Sequence, residues 1–156
     1  LIAAELEKHN ILIDSTALPG RSRSDNGFQF DWTATSSAIY KPSMDNYQIT
    51  SNEVSKNYKF YEAPFAMIPT KSDIDTKPIN RYLNLGYKSN ILQPAFSSLK
   101  EKKDIICVVH PHEVTKKDSV EHSVISYNEE EFLLNIKNLI DALDSPNFCS
   151  LSDIHK

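Results

Sequence analysis

The chain is poor in glycine: Gly20, Gly27 and Gly86 are the only three in 156 residues. Glycine-rich loops that bring backbone amides against a phosphate are therefore excluded. It has no apolar run near the roughly 20 residues that a helix needs to cross a bilayer. Lysine and arginine number 17 against 21 aspartates and glutamates, a formal net charge of −4. Nothing in that balance favours nucleic acid or an anionic membrane as a partner. Leu1–Asn10 lacks the basic start and apolar stretch of a signal peptide. The two thiols, Cys107 and Cys149, are far apart and have apolar neighbours, so buried free cysteines are expected rather than a disulfide. No G-x-S-x-G elbow occurs, which argues against a Ser-His-Asp hydrolase.

What is present fits one globular domain. The length is 156 residues, with 40% apolar and 24% charged side chains, enough chain to bury about two-thirds of its unfolded surface. Leu1–Asn10 reads as a helix and Ile11–Asp14 as a short strand ended by Pro19-Gly20. Pro19 to about Asn57 reads as a long irregular loop. It carries Phe28, Phe30, Trp32, Tyr40 and Tyr47, too many aromatics for a disordered linker, so it is expected to be ordered and to cover a site. Lys59–Thr70 reads as an extended, proline-interrupted edge, Asn80–Leu85 as one or two helical turns, and Ser89–Lys102 as a helix. Ile105–Val109 is a continuous apolar run that predicts a strand buried on both faces and ending at His110-Pro111. Glu129–Asp144 predicts an amphipathic helix with Asn128 as its N-cap, Glu131 reaching back to it, and Pro146 as its stop. Asn147–Ile154 adds a last short strand. The order implies an α/β sheet with parallel pairing.

The chemistry-bearing residues gather at expected strand ends, where α/β folds bind ligands. His110 and His112 are two apart and project to one face of an extended chain, with Glu113 beside them. Three readings stay open: proton transfer by His110, metal binding by the pair, or a loop histidine hydrogen-bonded to backbone. Trp32, the only tryptophan, follows Asp31; its indole either stacks on a sugar face or anchors the loop from inside. Asp14 is a site carboxylate or a turn former. Arg21 and Arg23 either grip a polar or anionic substrate or are solvated loop charges.

Ile13-Asp14-Ser15-Thr16-Ala17-Leu18-Pro19-Gly20, Phe30-Asp31-Trp32, Tyr40-Lys41-Pro42-Ser43 and Val108-Val109-His110 together resemble the second half of polysaccharide deacetylases of the NodB-homology type. The resemblance implies a distorted (β/α) barrel with parallel strands and an enzyme that removes acetyl groups from a polysaccharide or amino sugar. His110 would be the general acid and Asp31 the carboxylate orienting it, with Asp14 as the rival for that role. Trp32, Asp14, His112 and Arg21 would contact the carbohydrate. The family's divalent metal, zinc as the expected ion, is held by one Asp and two His. The Asp-Asp pair, the His-x-x-x-His and the Arg-x-Pro motif of the family's first half are all missing here. The expectation is therefore that residues 1–156 form the C-terminal half of such a domain, with the metal ligands outside this chain. An N-terminal companion, or self-association through open sheet edges, would complete it. Two other readings are a glycoside-active barrel using Glu62 and Glu113, and a non-catalytic carbohydrate-binding module.

Overall fold

A computed structural model of the chain describes residues 2–43, 45–51, 59–115, 121–144 and 146–153. It contains helices and strands in mixed order, divided into two compact units. One comprises Leu1–Ala66 and Phe148–Lys156, the other Met67–Asn147. No helix among the described residues is long and apolar enough to cross a membrane.

The first unit opens with α1 (Ile2–Lys8) and β1 (Ile13–Asp14). The helix stops where Asn10 turns left-handed at φ 57°. β1 pairs in parallel with β4 (Tyr61–Glu62), in the register Ile13 to Tyr61 and Asp14 to Glu62. Phe60 is wholly buried and Leu6 of α1 packs on it. The loop expected from Pro19 onward instead contains a hairpin, β2 (Ser22–Asp25) and β3 (Phe28–Asp31). Its turn is Asn26-Gly27, with φ of 48° and 82°. Both central residues of such a two-residue hairpin turn need positive φ, which asparagine and glycine tolerate best. Further on, Tyr40 bridges to Glu62 and Pro42 to Thr50, so the aromatic loop is ordered by backbone pairing.

In the second unit, β5 (Met67–Thr70) and β6 (Ile79–Tyr82) form an antiparallel pair. This overturns the helical turn expected at Asn80–Leu85: pairing with β5 outweighs the helix propensity of a few residues. Pro69 lies opposite Asn80 within this two-stranded pair, where a missing N–H is tolerated. α2 (Ser89–Leu92) gives way to a 3-10 turn, Gln93–Leu99. Pro94 cannot donate its share of an α-helical ladder, so the expected single helix is split in two types. The apolar face survives: Ile91, Leu92, Ala95, Phe96 and Leu99 are buried. α3 (Glu129–Leu143) forms as expected, and Asn128 Oδ1 accepts from the Glu131 amide at 3.0 Å. Glu131 does not close a capping box, however; its carboxylate accepts from the Ser89 amide at 2.6 Å.

Three other expectations change. Ile105–Val109 is not a strand buried on both faces. Only Val108 is bridged, in parallel with Asn84, and no residue of the run is fully buried. An apolar run becomes a central strand only if partners exist on both sides, and one partner segment is found among the described residues. The closing strand is also not formed among the described residues. Leu151–Asp153 is a 3-10 turn and Phe148 is 71% exposed; Ile154 lies outside the described residues. Both cysteines are free but exposed, not buried.

Candidate functional site

In the second unit, Leu83–Leu85 and Val108 lie side by side in parallel. The Val108 amide donates to Leu83 O at 3.0 Å and the Leu85 amide donates to Val108 O at 3.1 Å. Two residues later the chain reaches His110, still extended at φ −97° and ψ 131°, and enters the 3-10 turn Pro111–Glu113. His110 and His112 are both exposed, and their rings stack with centroids 5.8 Å apart and planes 23° apart. Glu113 turns inward instead of joining them. It is 6% exposed, and its Oε2 accepts from Asn84 Nδ2 at 2.8 Å and from the His110 amide at 3.2 Å. Among the described residues no group of three or more His, Cys, Asp or Glu side chains is arranged to hold a metal ion. The two imidazoles thus lack a third ligand there, and the residues present do not fit a metal site.

In the first unit, the parallel register puts Asp14 beside Glu62, both at carboxyl ends of their strands. Glu62 is wholly buried. Its Oε1 accepts from the amides of Thr16 and Ala17 at 3.1 and 2.9 Å, and among the described residues its Oε2 has no hydrogen-bond partner within 3.5 Å. Burial raises its pKa, and the negative charge of Asp14 raises it further against the pull of the Ala17 and Thr16 amides. Asp14 is half-buried and meets different company. Its Oδ1 accepts from the Ser15 amide at 2.9 Å, and its Oδ2 accepts from Thr16 Oγ1 at 2.9 Å and from the Tyr47 hydroxyl at 3.3 Å. Thr16 Oγ1 and the Tyr47 hydroxyl are 2.5 Å apart. Burial pushes the phenols of Tyr40 and Tyr47 up, and the neighbouring carboxylates add to that. One carboxyl is thus held under the backbone of the loop, while the other is offered among hydroxyls at its rim.

The remaining sequence-picked residues fall as follows. Asp31 is exposed, and its Oδ1 is taken by Thr33, through the amide at 3.0 Å and the hydroxyl at 2.6 Å. Those bonds hold its carboxyl below the usual aspartate value. Trp32 is 7% exposed and sits edge-on to Tyr47 at 5.3 Å, so the loop-anchor alternative is the one observed. Arg21 is half-buried, and its backbone pairs with that of Trp32 at 2.8 Å. Glu62 lies in the first unit and Glu113 in the second, each with its own hydrogen-bond partners. Tyr47 was missed, because only tertiary pairing such as Tyr40 with Glu62 brings it to Asp14, whereas Thr16 lies two residues from Asp14. No family model matches the chain, and neither the curated proteins nor the solved structures compared with it give a match.

Proposed function

We propose that the chain belongs to a hydrolase that removes acetyl groups from a polysaccharide or amino sugar, with His110 as the general acid. The observation that carries this reading is the setting of His110. It is an exposed imidazole at the carboxyl end of a parallel-bridged segment, on a turn whose backbone is tied down by a buried carboxylate. The fold that goes with it is the C-terminal part of a distorted (β/α) barrel, and the parallel pairings at Asp14/Glu62 and Asn84/Val108 support that. The metal of such an enzyme, zinc as the expected ion, would be bound by residues outside this chain.

The step assigned to this chain is proton donation. Water adds to the acetyl carbonyl with loss of a proton to solvent, and the carbon–nitrogen or carbon–oxygen bond to the sugar then breaks. His110, as imidazolium, gives its proton to the departing sugar nitrogen or oxygen, acetate leaves, and the neutral imidazole is reprotonated from solvent. An imidazole suits this because its unperturbed pKa of about 6.5 makes both forms available. In the enzyme complete with its metal-binding part, His110→Ala should lower turnover by on the order of 10²–10⁴ with metal content unchanged. Acetate release measured beside bound metal decides the matter. Unchanged turnover removes the general-acid role, and loss of metal reassigns His110 as a ligand.

A second reading has one observation in its favour, the Asp14–Glu62 couple. A raised acid beside a hydrogen-bonded carboxylate is the pattern of glycoside hydrolysis. Glycosidase activity would survive a chelator, whereas metal-dependent acetate release would not.

A further inference from the structure

Glu113 is a carboxyl buried directly beneath the turn that carries His110. A buried carboxyl needs hydrogen-bond partners, and those partners fix where it sits. What Glu113 does provide is geometry. Its Oε2 accepts from the His110 amide at 3.2 Å, while the Glu113 amide donates back to His110 O at 2.8 Å. The two residues therefore hold each other through opposite ends of one turn. The same oxygen accepts from Asn84 Nδ2 at 2.8 Å, and Asn84 is wholly buried. Asn84 is fixed in turn, because its Oδ1 accepts from the Gly86 amide at 2.8 Å. Gly86 leaves the room required. A Cβ there would stand 3.1 Å from Glu113 Cβ, 3.2 Å from Asn84 Oδ1 and 3.3 Å from Glu113 Oε2.

We propose that Glu113, oriented by Asn84, is a positioning residue for His110, a buried latch that fixes the backbone from which the imidazole projects. The proposal rests on the reading of His110 as the proton donor. It does not make Glu113 a catalytic residue, since its contact is with the His110 amide and not with reacting atoms. A proton donor held about 1 Å out of place loses on the order of 10²-fold in rate. The loss falls on kcat and not on KM, because the bond to the departing atom is made only in the transition state.

The test compares two substrates in the complete enzyme. One is an N-acetylglucosamine oligomer, whose amine cannot leave without a proton. The other is p-nitrophenyl acetate, whose phenolate can. His110→Ala should slow only the first. Glu113→Ala should do the same, by about 10²-fold in kcat, and the double variant should be no slower than His110→Ala alone. Glu113→Gln should restore the rate, because both bonds fall on one oxygen and an amide oxygen accepts them equally well. If Glu113→Ala does not fold, as read by circular dichroism, Asn84→Ala takes its place with the same substrate-selective loss expected. Equal losses on both substrates, additivity with His110→Ala, or failure of Glu113→Gln to restore the rate would overturn the latch. A His110→Ala variant without the selective loss would instead overturn the general-acid reading.

Discussion

Glu62 shows how a single side chain takes its chemistry from its surroundings. Desolvation raises its pKa above the ordinary 4.5, and the folded state therefore holds its proton more tightly than the unfolded chain does. The stability this brings is complete below the unfolded value and is lost as pH rises through the folded one. A one-proton difference tilts stability by at most about 1.4 kcal/mol per pH unit. Glu62→Gln should remove that slope above pH 4.5 and keep the stability near pH 7, since its carbonyl oxygen can still accept from the Thr16 and Ala17 amides. Glu62→Ala should leave those two amides unmet and cost about 1–3 kcal/mol at every pH. Urea unfolding at several pH values checks both; an unaltered slope in Glu62→Gln would mean that Glu62 is charged in the folded state. Little of this was legible in the sequence. In the sequence Glu62 stands out only as a carboxylate near a strand end, a candidate with Glu113 for a glycoside-active site. Its place beside Asp14 is a matter of the parallel register, which only the tertiary structure sets.

At the scale of elements, local signals succeeded where a segment is nearly self-sufficient. α3 has its cap, its acidic first turn and its apolar stripe within one stretch, and it forms where its sequence says. Asn128→Ala should destabilise the protein by about 1 kcal/mol, visible as a lower thermal midpoint. The β2–β3 hairpin is equally local. Asn26-Gly27 between alternating residues is a turn signal that the loop reading passed over. Segments that depend on distant partners were misread. Ile79–Tyr82 is extended because β5 pairs with it, and Ile105–Val109 is mostly unpaired because a second neighbour is lacking among the described residues. The Leu83–Tyr87 segment joins these parts. Asn135 of α3 donates to Leu85 O and Tyr87 O at 2.9 and 2.7 Å, and Asn84 meets Glu113. Gly86→Ala forces a Cβ into this packing and should cost about 1–3 kcal/mol. A calorimetric scan of that variant with no change in midpoint would mean that Glu113 can move aside freely.

At the scale of the whole molecule, the chain divides into two compact units, each with a parallel pairing that brings a polar residue to a carboxyl end. The described residues hold no group of three or more His, Cys, Asp or Glu side chains suited to a metal ion, so those residues offer zinc no tight site. A ligand that binds the folded state at 100 times its Kd raises stability by about 2.7 kcal/mol. If the described residues are all that zinc meets, a melt with added zinc stays where the melt with chelator lies; an upward shift would place metal ligands among the other residues.

The sequence by itself determined the helix with its own cap, the glycine-poor composition that excludes phosphate loops, the breaks at proline, and the nearness of His110 to Glu113. These depend on residues a few positions apart, and backbone geometry relates such residues directly. Only the tertiary structure decided that Asp14 faces Glu62 and Tyr47, that Trp32 is an anchor, and that Glu113 turns inward to Asn84 while His110 stays exposed. The reason is physical. Burial and strand register are set by segments dozens of residues away, and a one-residue change in pairing would exchange every inward side chain for an outward one.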